Sequence, residues 1–218
     1  MTWTDQAWQA VHPIYQNILD MPFIHELKNG TLPLDKFQFY MQQDARYLEH
    51  YGRVLAYLGS KGTDNNQALD FFDFGKNALI VERALHESYF TEFGIHEDSV
   101  PADLEPICHH YVHYLKSVAA FDPLEVAMAA VLPCFVIYKQ VGDYIIATQT
   151  NVGNPYKKWI DTYSGPEFAI GVQKAESYVN AMAECTTAKI RAHMMDAYIK
   201  ASKMEFKFWQ AAYNKTTW

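Results

Sequence analysis

Apolar positions in this chain recur at intervals of three and four, and the breakers between them are spaced like helix ends. Asp5 to Asp20 reads as a first helix, bent at Pro13. A short helix follows Met21-Pro22 and ends near Asn29-Gly30. Pro33 opens a long helix to Gly59, with Tyr40, Gln43, Asp44, Tyr47 and Tyr51 along one side. Asn65 or Asn66 starts another, ending at Phe93-Gly94, and Ile107 to Ala119 forms the next. Asp122-Pro123 predicts a start, with Asp as cap and Pro at the first helical position, and that helix runs through Cys134 to about Thr148. Asn154-Pro155 opens a short helix to Tyr163; Ser164-Gly165-Pro166 breaks it, and Glu167 to Cys185 follows. Thr186-Thr187 caps a terminal helix to about Asn214. No segment alternates with period two, and no linker or repeat divides the chain. The pattern predicts one all-α domain over residues 1–218, a bundle of eight to ten helices.

Against that pattern, a few polar residues interrupt stretches that otherwise read as buried, aromatic-rich helix: Asp44, Cys134, Tyr163 and Glu205. Desolvating a carboxylate or thiolate costs several kcal/mol unless it is paired. Two carboxylates, a thiol and several phenols therefore suggest an aromatic-walled pocket holding a nucleophile and an acid/base group. Each has a plainer reading. Cys134 follows Pro133, which denies the Ala129 carbonyl its helical partner and is disfavoured inside a helix by about 3 kcal/mol. A thiol re-aimed at a site would offset that, yet a lone cysteine in an apolar helix is also an ordinary small core residue. Asp44 either accepts from a ligand amino group or pairs with Arg46, Arg53 or Lys36 on a solvated face. Glu205 sits in an aromatic stripe with Phe208 and Trp209, which would raise its pKa; Lys203 or Lys207 offers it a salt bridge instead.

Composition narrows the field. Of 218 residues, 15% are aromatic, which favours a flat or cationic ligand. The net charge is −7 and the basic residues are scattered, so no nucleic-acid surface is expected. Three cysteines, Cys108, Cys134 and Cys185, without paired spacing suit a reducing cytoplasm. The start, Met1-Thr2-Trp3-Thr4-Asp5, does not read as a signal peptide, and the apolar run from Val126 to Tyr138 reads as too short for a bilayer, so no membrane partner is expected. Glu82 with His86, or the His109, His110 and His113 cluster, is a weak metal candidate, because the spacing lacks a matching second set.

Four segments taken together resemble the TenA/thiaminase II family, in its cysteine-containing branch, from about Trp8 to Ala212. They are Phe37-x-x-Tyr40-x-x-Gln43-Asp44-x-x-Tyr47-Leu48, Leu132-Pro133-Cys134-x-x-x-Tyr138-x-x-Val141-Gly142, Asn154-Pro155-Tyr156-x-x-Trp159-Ile160-x-x-Tyr163 and Ser202-x-x-Glu205-x-x-Phe208-Trp209. Each is weak alone; all four in order are specific. The resemblance implies a haem-oxygenase-like all-α fold, a homotetramer, and no metal or organic cofactor. It implies hydrolysis of aminomethylpyrimidine to hydroxymethylpyrimidine and ammonia, or cleavage of thiamine, in cytoplasmic thiamine salvage. Cys134 would be the nucleophile, Glu205 the acid/base group, and Asp44 the ligand of the pyrimidine amidine edge, with Tyr47, Tyr111, Tyr138, Tyr163 and Phe208 around them. The rival expectations are a non-catalytic thiamine- or pyrimidine-binding protein, a metal- or haem-dependent oxidase using His86 or the His109 cluster, and a helical regulatory partner.

Overall fold

The structure is a computed structural model that describes residues 1–62, 64–93, 103–151 and 153–218, apart from the side chains of 81–83, 85 and 86. Nine helices lie among them: α1 (Trp3–Leu19), α2 (Pro22–Asn29), α3 (Leu34–Lys61), α4 (Asn65–Glu92), α5 (Pro106–Phe121), α6 (Leu124–Thr148), α7 (Lys157–Ser164), α8 (Pro166–Cys185) and α9 (Ala188–Asn214). No strand occurs among the described residues. The metal candidate Glu82 and His86 falls outside the described side chains, and the expected stop at Gly94 outside the described residues.

Local chemistry sets these ends. α1 begins two residues earlier than the pattern predicts, because Thr2 and Asp5 form a reciprocal capping box: the Thr2 amide donates to Asp5 at 2.7 Å and the Asp5 amide donates to the Thr2 hydroxyl at 3.1 Å. Pro13 lies inside α1, on its exposed side, where water can reach the carbonyl it leaves without a partner. α2 starts on Pro22 and stops at Gly30, whose φ of 71° is the left-handed conformation that glycine adopts without strain. Asp122 does not cap α6. Pro123 occupies the cap position, and Asp122 meets His193 at 3.5 Å instead. Asn154 lies ahead of α7 and ties that loop to the end of α2. Its amide donates to the Leu27 and Lys28 carbonyls at 2.9 and 3.0 Å, and its oxygen accepts from the Tyr156 amide at 2.9 Å.

One continuous cluster of buried side chains runs from Trp3 to Ala212. α6 is its axis, packing on α5, α7, α8 and α9, while α3 and α4 pair along their lengths and α3 also meets α5 and α9. By length and composition α6 could cross a membrane, being longer than the apolar run inside it; 67% of its most apolar window is buried within the bundle. Gly142 on α6 admits α7 at close range. A Cβ there would stand 2.8 Å from the Ser164 nitrogen and from the Tyr163 carbonyl carbon. Backbone cannot yield as a side-chain tip can, so Gly142→Ala is expected to cost about 2 kcal/mol and lower Tm by roughly 5 °C. A thermal melt that leaves Tm unchanged would remove the close approach from the account.

Candidate active site

Pro133 does not end α6; the helix passes through it and presents Cys134 one residue later. In the turn before the proline, the Tyr51 hydroxyl of α3 donates to the Val131 carbonyl at 2.8 Å. Tyr51 is also hydrogen-bonded to Cys134. The thiol is half-buried and opens into a cavity of about 420 Å³ bounded by α3, α4, α6 and the junction of α7 with α8. Asp44, Tyr138 and Tyr163 line the same cavity. Asp44 is only 2% exposed, so the solvated-face reading does not hold. Of the cations weighed against it, Arg46 pairs with Glu49 at 3.5 Å and the Lys36 ammonium stands over the Tyr213 ring at 3.1 Å.

The aromatic wall is built from three helices. Tyr138 meets Tyr163 with ring centroids 4.8 Å apart, and Tyr163 continues edge-on to Phe168 at 5.2 Å. Behind Tyr138, its hydroxyl lies 3.3 Å from that of Tyr40, which accepts from the Trp159 indole at 3.1 Å. The contact through Gly142 is what brings the end of α7, and with it Tyr163, against α6.

Four of the expected residues stand behind that wall rather than on it. Glu205, Tyr47, Tyr111 and Phe208 do not border the open cavity. Tyr47 stacks on Tyr51 at 5.3 Å and meets Tyr111 at 5.0 Å and Phe208 at 5.8 Å, forming an aromatic layer. Glu205, 2% exposed, accepts from the Tyr111 hydroxyl at 2.7 Å. Neither Lys203 nor Lys207 forms an ion pair with it among the described residues; Lys207 donates to Gln210. Burial pushes the Glu205 carboxyl up to about 8, opposed by the Tyr111 hydrogen bond and assisted by the Asp44 charge. The field of this group and the thiol spans the layer. Tyr47, Tyr51 and Tyr111 are held well above the usual phenol range by burial first, and then by Cys134 and Glu205 among their charged neighbours. They remain neutral hydrogen-bond donors. The Tyr47 hydroxyl is buried beside that of Tyr111 and holds the Tyr111 phenol down a little against these effects.

The spacing of residues did not single out Tyr51 as more than one member of a stripe, and it missed the far wall. Phe74 and Ala78 on α4 and Phe168 and Gly171 on α8 border the cavity but read as ordinary helix packing. The histidine candidate has a different surrounding. His109 and His113 lie ring against ring at 4.2 Å, with Trp218 against His109 at 5.6 Å. Among the described residues no group of three or more His, Cys, Asp or Glu is placed to hold a metal ion.

An all-α bundle of the haem-oxygenase-like kind, with a cavity that gathers a thiol, a carboxylate and phenols, defines a small-molecule site of restricted type. Residues 8–215 match the TENA/THI-4/PQQC family, and the chain belongs to it. The aminopyrimidine aminohydrolase of Bacillus subtilis is 29% identical over 221 residues, covering 100% of this chain and 92% of its own length. The thiamine biosynthesis multifunctional protein ThiED of Corynebacterium efficiens is 37% identical over 179 residues, 82% of this chain; the chain spans about a quarter of that relative, 24%. The structure of a TenA homologue from P. horikoshii OT3 superposes with a TM-score of 0.88 at 23% identity, covering 98% of this chain and 99% of that one, which is a likeness of fold.

Proposed function

We propose that this chain is a cytoplasmic hydrolase of thiamine salvage that converts 4-amino-5-aminomethyl-2-methylpyrimidine and water into the 5-hydroxymethyl compound and ammonia. The observation that carries the reading is the shared cavity of Cys134 and Asp44, with a carboxyl group held protonated near neutral pH one layer behind. The Bacillus subtilis relative that aligns over the whole chain is an aminopyrimidine aminohydrolase.

The chemistry follows from an electron-poor ring bearing a methylene leaving group. The Cys134 thiolate adds to the ring carbon beside the one carrying the methylene, forming a C–S bond and pushing electrons into the ring. Those electrons expel ammonia and leave an exocyclic double bond. Water then adds to the methylene carbon, electrons return to the ring, and the C–S bond breaks to restore the thiolate. Asp44 accepts from the exocyclic amine of the pyrimidine, and the ring packs against the wall that Tyr138 and Tyr163 form. Glu205 gives a proton as the ring is attacked and takes one back as water adds, a double role suited to a pKa near 8. Because Glu205 stands behind the wall, the proton crosses the Tyr47 and Tyr111 layer. Tyr111 bonds Glu205 directly, and Tyr47 lies against Tyr111 on the side of Tyr51.

The reading also keeps the homotetramer. Leu69, Phe72 and Ile80 stand out from α4 at 61%, 43% and 57% exposure, with Asp73 and Lys76 exposed among them, and association would cover this apolar surface. Sedimentation should find a species four times the mass of the chain, and a monomer at micromolar concentration would remove this part. The activity itself is tested by ammonia release from the aminomethyl compound. Purified protein that binds it saturably without releasing ammonia would instead favour a non-catalytic binding protein.

A further inference from the structure

The cavity is larger than one six-membered ring requires, and its two ends differ in character. At one end are Asp44, Tyr138 and Cys134, the groups that the proposed reaction places on the pyrimidine. Moving away from Cys134, one wall runs from Tyr51 to Phe135 at 6.0 Å and on to Phe74 at 5.3 Å. The other runs from Tyr163 to Phe168 and, one turn along α8, to Gly171. The walls converge where a Cβ on Gly171 would come 3.8 Å from Cε1 of Phe74. Ala78, one turn beyond Phe74 on α4, borders the same end. Two helices thus contribute their smallest side chains where three phenylalanine rings already provide flat apolar surface. At the rim Glu167 is exposed, and Asp161, also exposed, is paired with Lys157 at 2.5 Å.

We propose that this outer end is a leaving-group chamber and that Gly171 is its specificity-determining position. The absence of a side chain at Gly171, assisted by Ala78, leaves room for a flat heterocycle carried on the pyrimidine methylene. The phenylalanine faces, with Glu167 at the rim, suit a flat cationic ring such as the thiazolium of thiamine. Ammonia needs none of this space. The inference rests on the reading above, and it concerns what leaves rather than what is attacked.

Substitution at Gly171 is sterically mild for the fold. The added Cβ makes ordinary van der Waals contact with Phe74, and in mid-helix any residue but proline loses less entropy than glycine. A larger side chain grows into the chamber. The measurement is kcat/KM for thiamine, followed as released thiazole alcohol, divided by kcat/KM for the aminomethylpyrimidine, followed as ammonia. Gly171→Leu should lower that ratio by at least about tenfold, the scale on which a pocket rejects surplus bulk. Gly171→Ala and Ala78→Val should lower it by smaller steps, and they carry the test if the leucine variant does not fold. An unchanged ratio across the variants overturns the chamber, as does wild-type protein that releases ammonia but no thiazole alcohol. Wild-type protein that turns over neither substrate overturns the parent reading instead.

Discussion

Cys134→Ala is expected to lower kcat/KM for ammonia release by about three orders of magnitude or more, the usual consequence of removing a covalent nucleophile. The loss should be chemical rather than structural. Cys134 is half-buried on the cavity wall, so shortening it removes little packed surface, and Tm should move by no more than about 2 °C. Asp44 and the tyrosine wall are untouched, so the product should bind the variant about as well as it binds the wild type. Cys134→Ser is instructive beside it. A hydroxyl keeps the shape but is far less nucleophilic at neutral pH, so serine should restore little of the rate. The two other cysteines serve as internal controls. Cys108 is buried against the Gln43 carbonyl with its thiol pushed well above the usual range by burial, and Cys185 is exposed at the end of α8. Neither borders the cavity, and their replacement by alanine should leave turnover in place. Equal activity in wild type and Cys134→Ala would end the nucleophile assignment.

Glu205→Gln carries the second large effect, and it is visible in two independent ways. Turnover should fall about 10²- to 10⁴-fold while product affinity changes little, because the amide keeps the shape and the Tyr111 contact but cannot give and recover a proton. The wild-type rate should decline as pH rises through about 8, where the carboxyl loses its proton, and the residual rate of the variant should lack that limb. The second readout is stability. The folded-state value near 8 lies above the ordinary 4.5, so between those values the folded chain holds a proton that the unfolded chain has released. Stability attributable to this group is therefore present below pH 4.5, declines as pH rises, and is gone above about 8, with a ceiling of about 5 kcal/mol. Glutamine does not titrate. The variant should thus gain on the wild type in Tm as pH is raised from 5 to 9. A constant difference in Tm across that range would mean that burial does not hold the Glu205 proton.

How much of this was legible beforehand depended on the kind of information each feature needs. The helices were legible because prolines and glycines lie between the periodic runs: Pro22 and Gly30 frame α2, and Pro166 opens α8. Caps were less so. Thr2 and Asp5 form a box with an aspartate where glutamate is the commoner partner, and Asp122 had a competing contact in His193, far away in the chain. In the site, helical spacing correctly grouped Asp44 with Tyr47 and Tyr51 on one stripe of α3. Spacing gives direction around a helix, but not depth. Whether Tyr47 faces the cavity or stands behind Tyr51 is decided by rings arriving from α5 and α9, Tyr111 and Phe208. The same is true of Glu205, whose Lys neighbours in sequence point elsewhere once α9 packs. The outer wall was not legible at all. Gly171 gains meaning only from its distance to Phe74, across two helices that the sequence separates by nearly a hundred residues.

The central claim is that one cavity holds the heterocycle with its ring against sulfur and its amidine edge against Asp44. A crystal structure of the chain with hydroxymethylpyrimidine tests it directly. The account predicts the ring packed against the wall of Tyr138 and Tyr163, the exocyclic amine donating to Asp44, and Cys134 Sγ in van der Waals contact with the ring carbon next to the hydroxymethyl substituent. A ring bound with Cys134 out of reach, or with Asp44 unengaged, would contradict it.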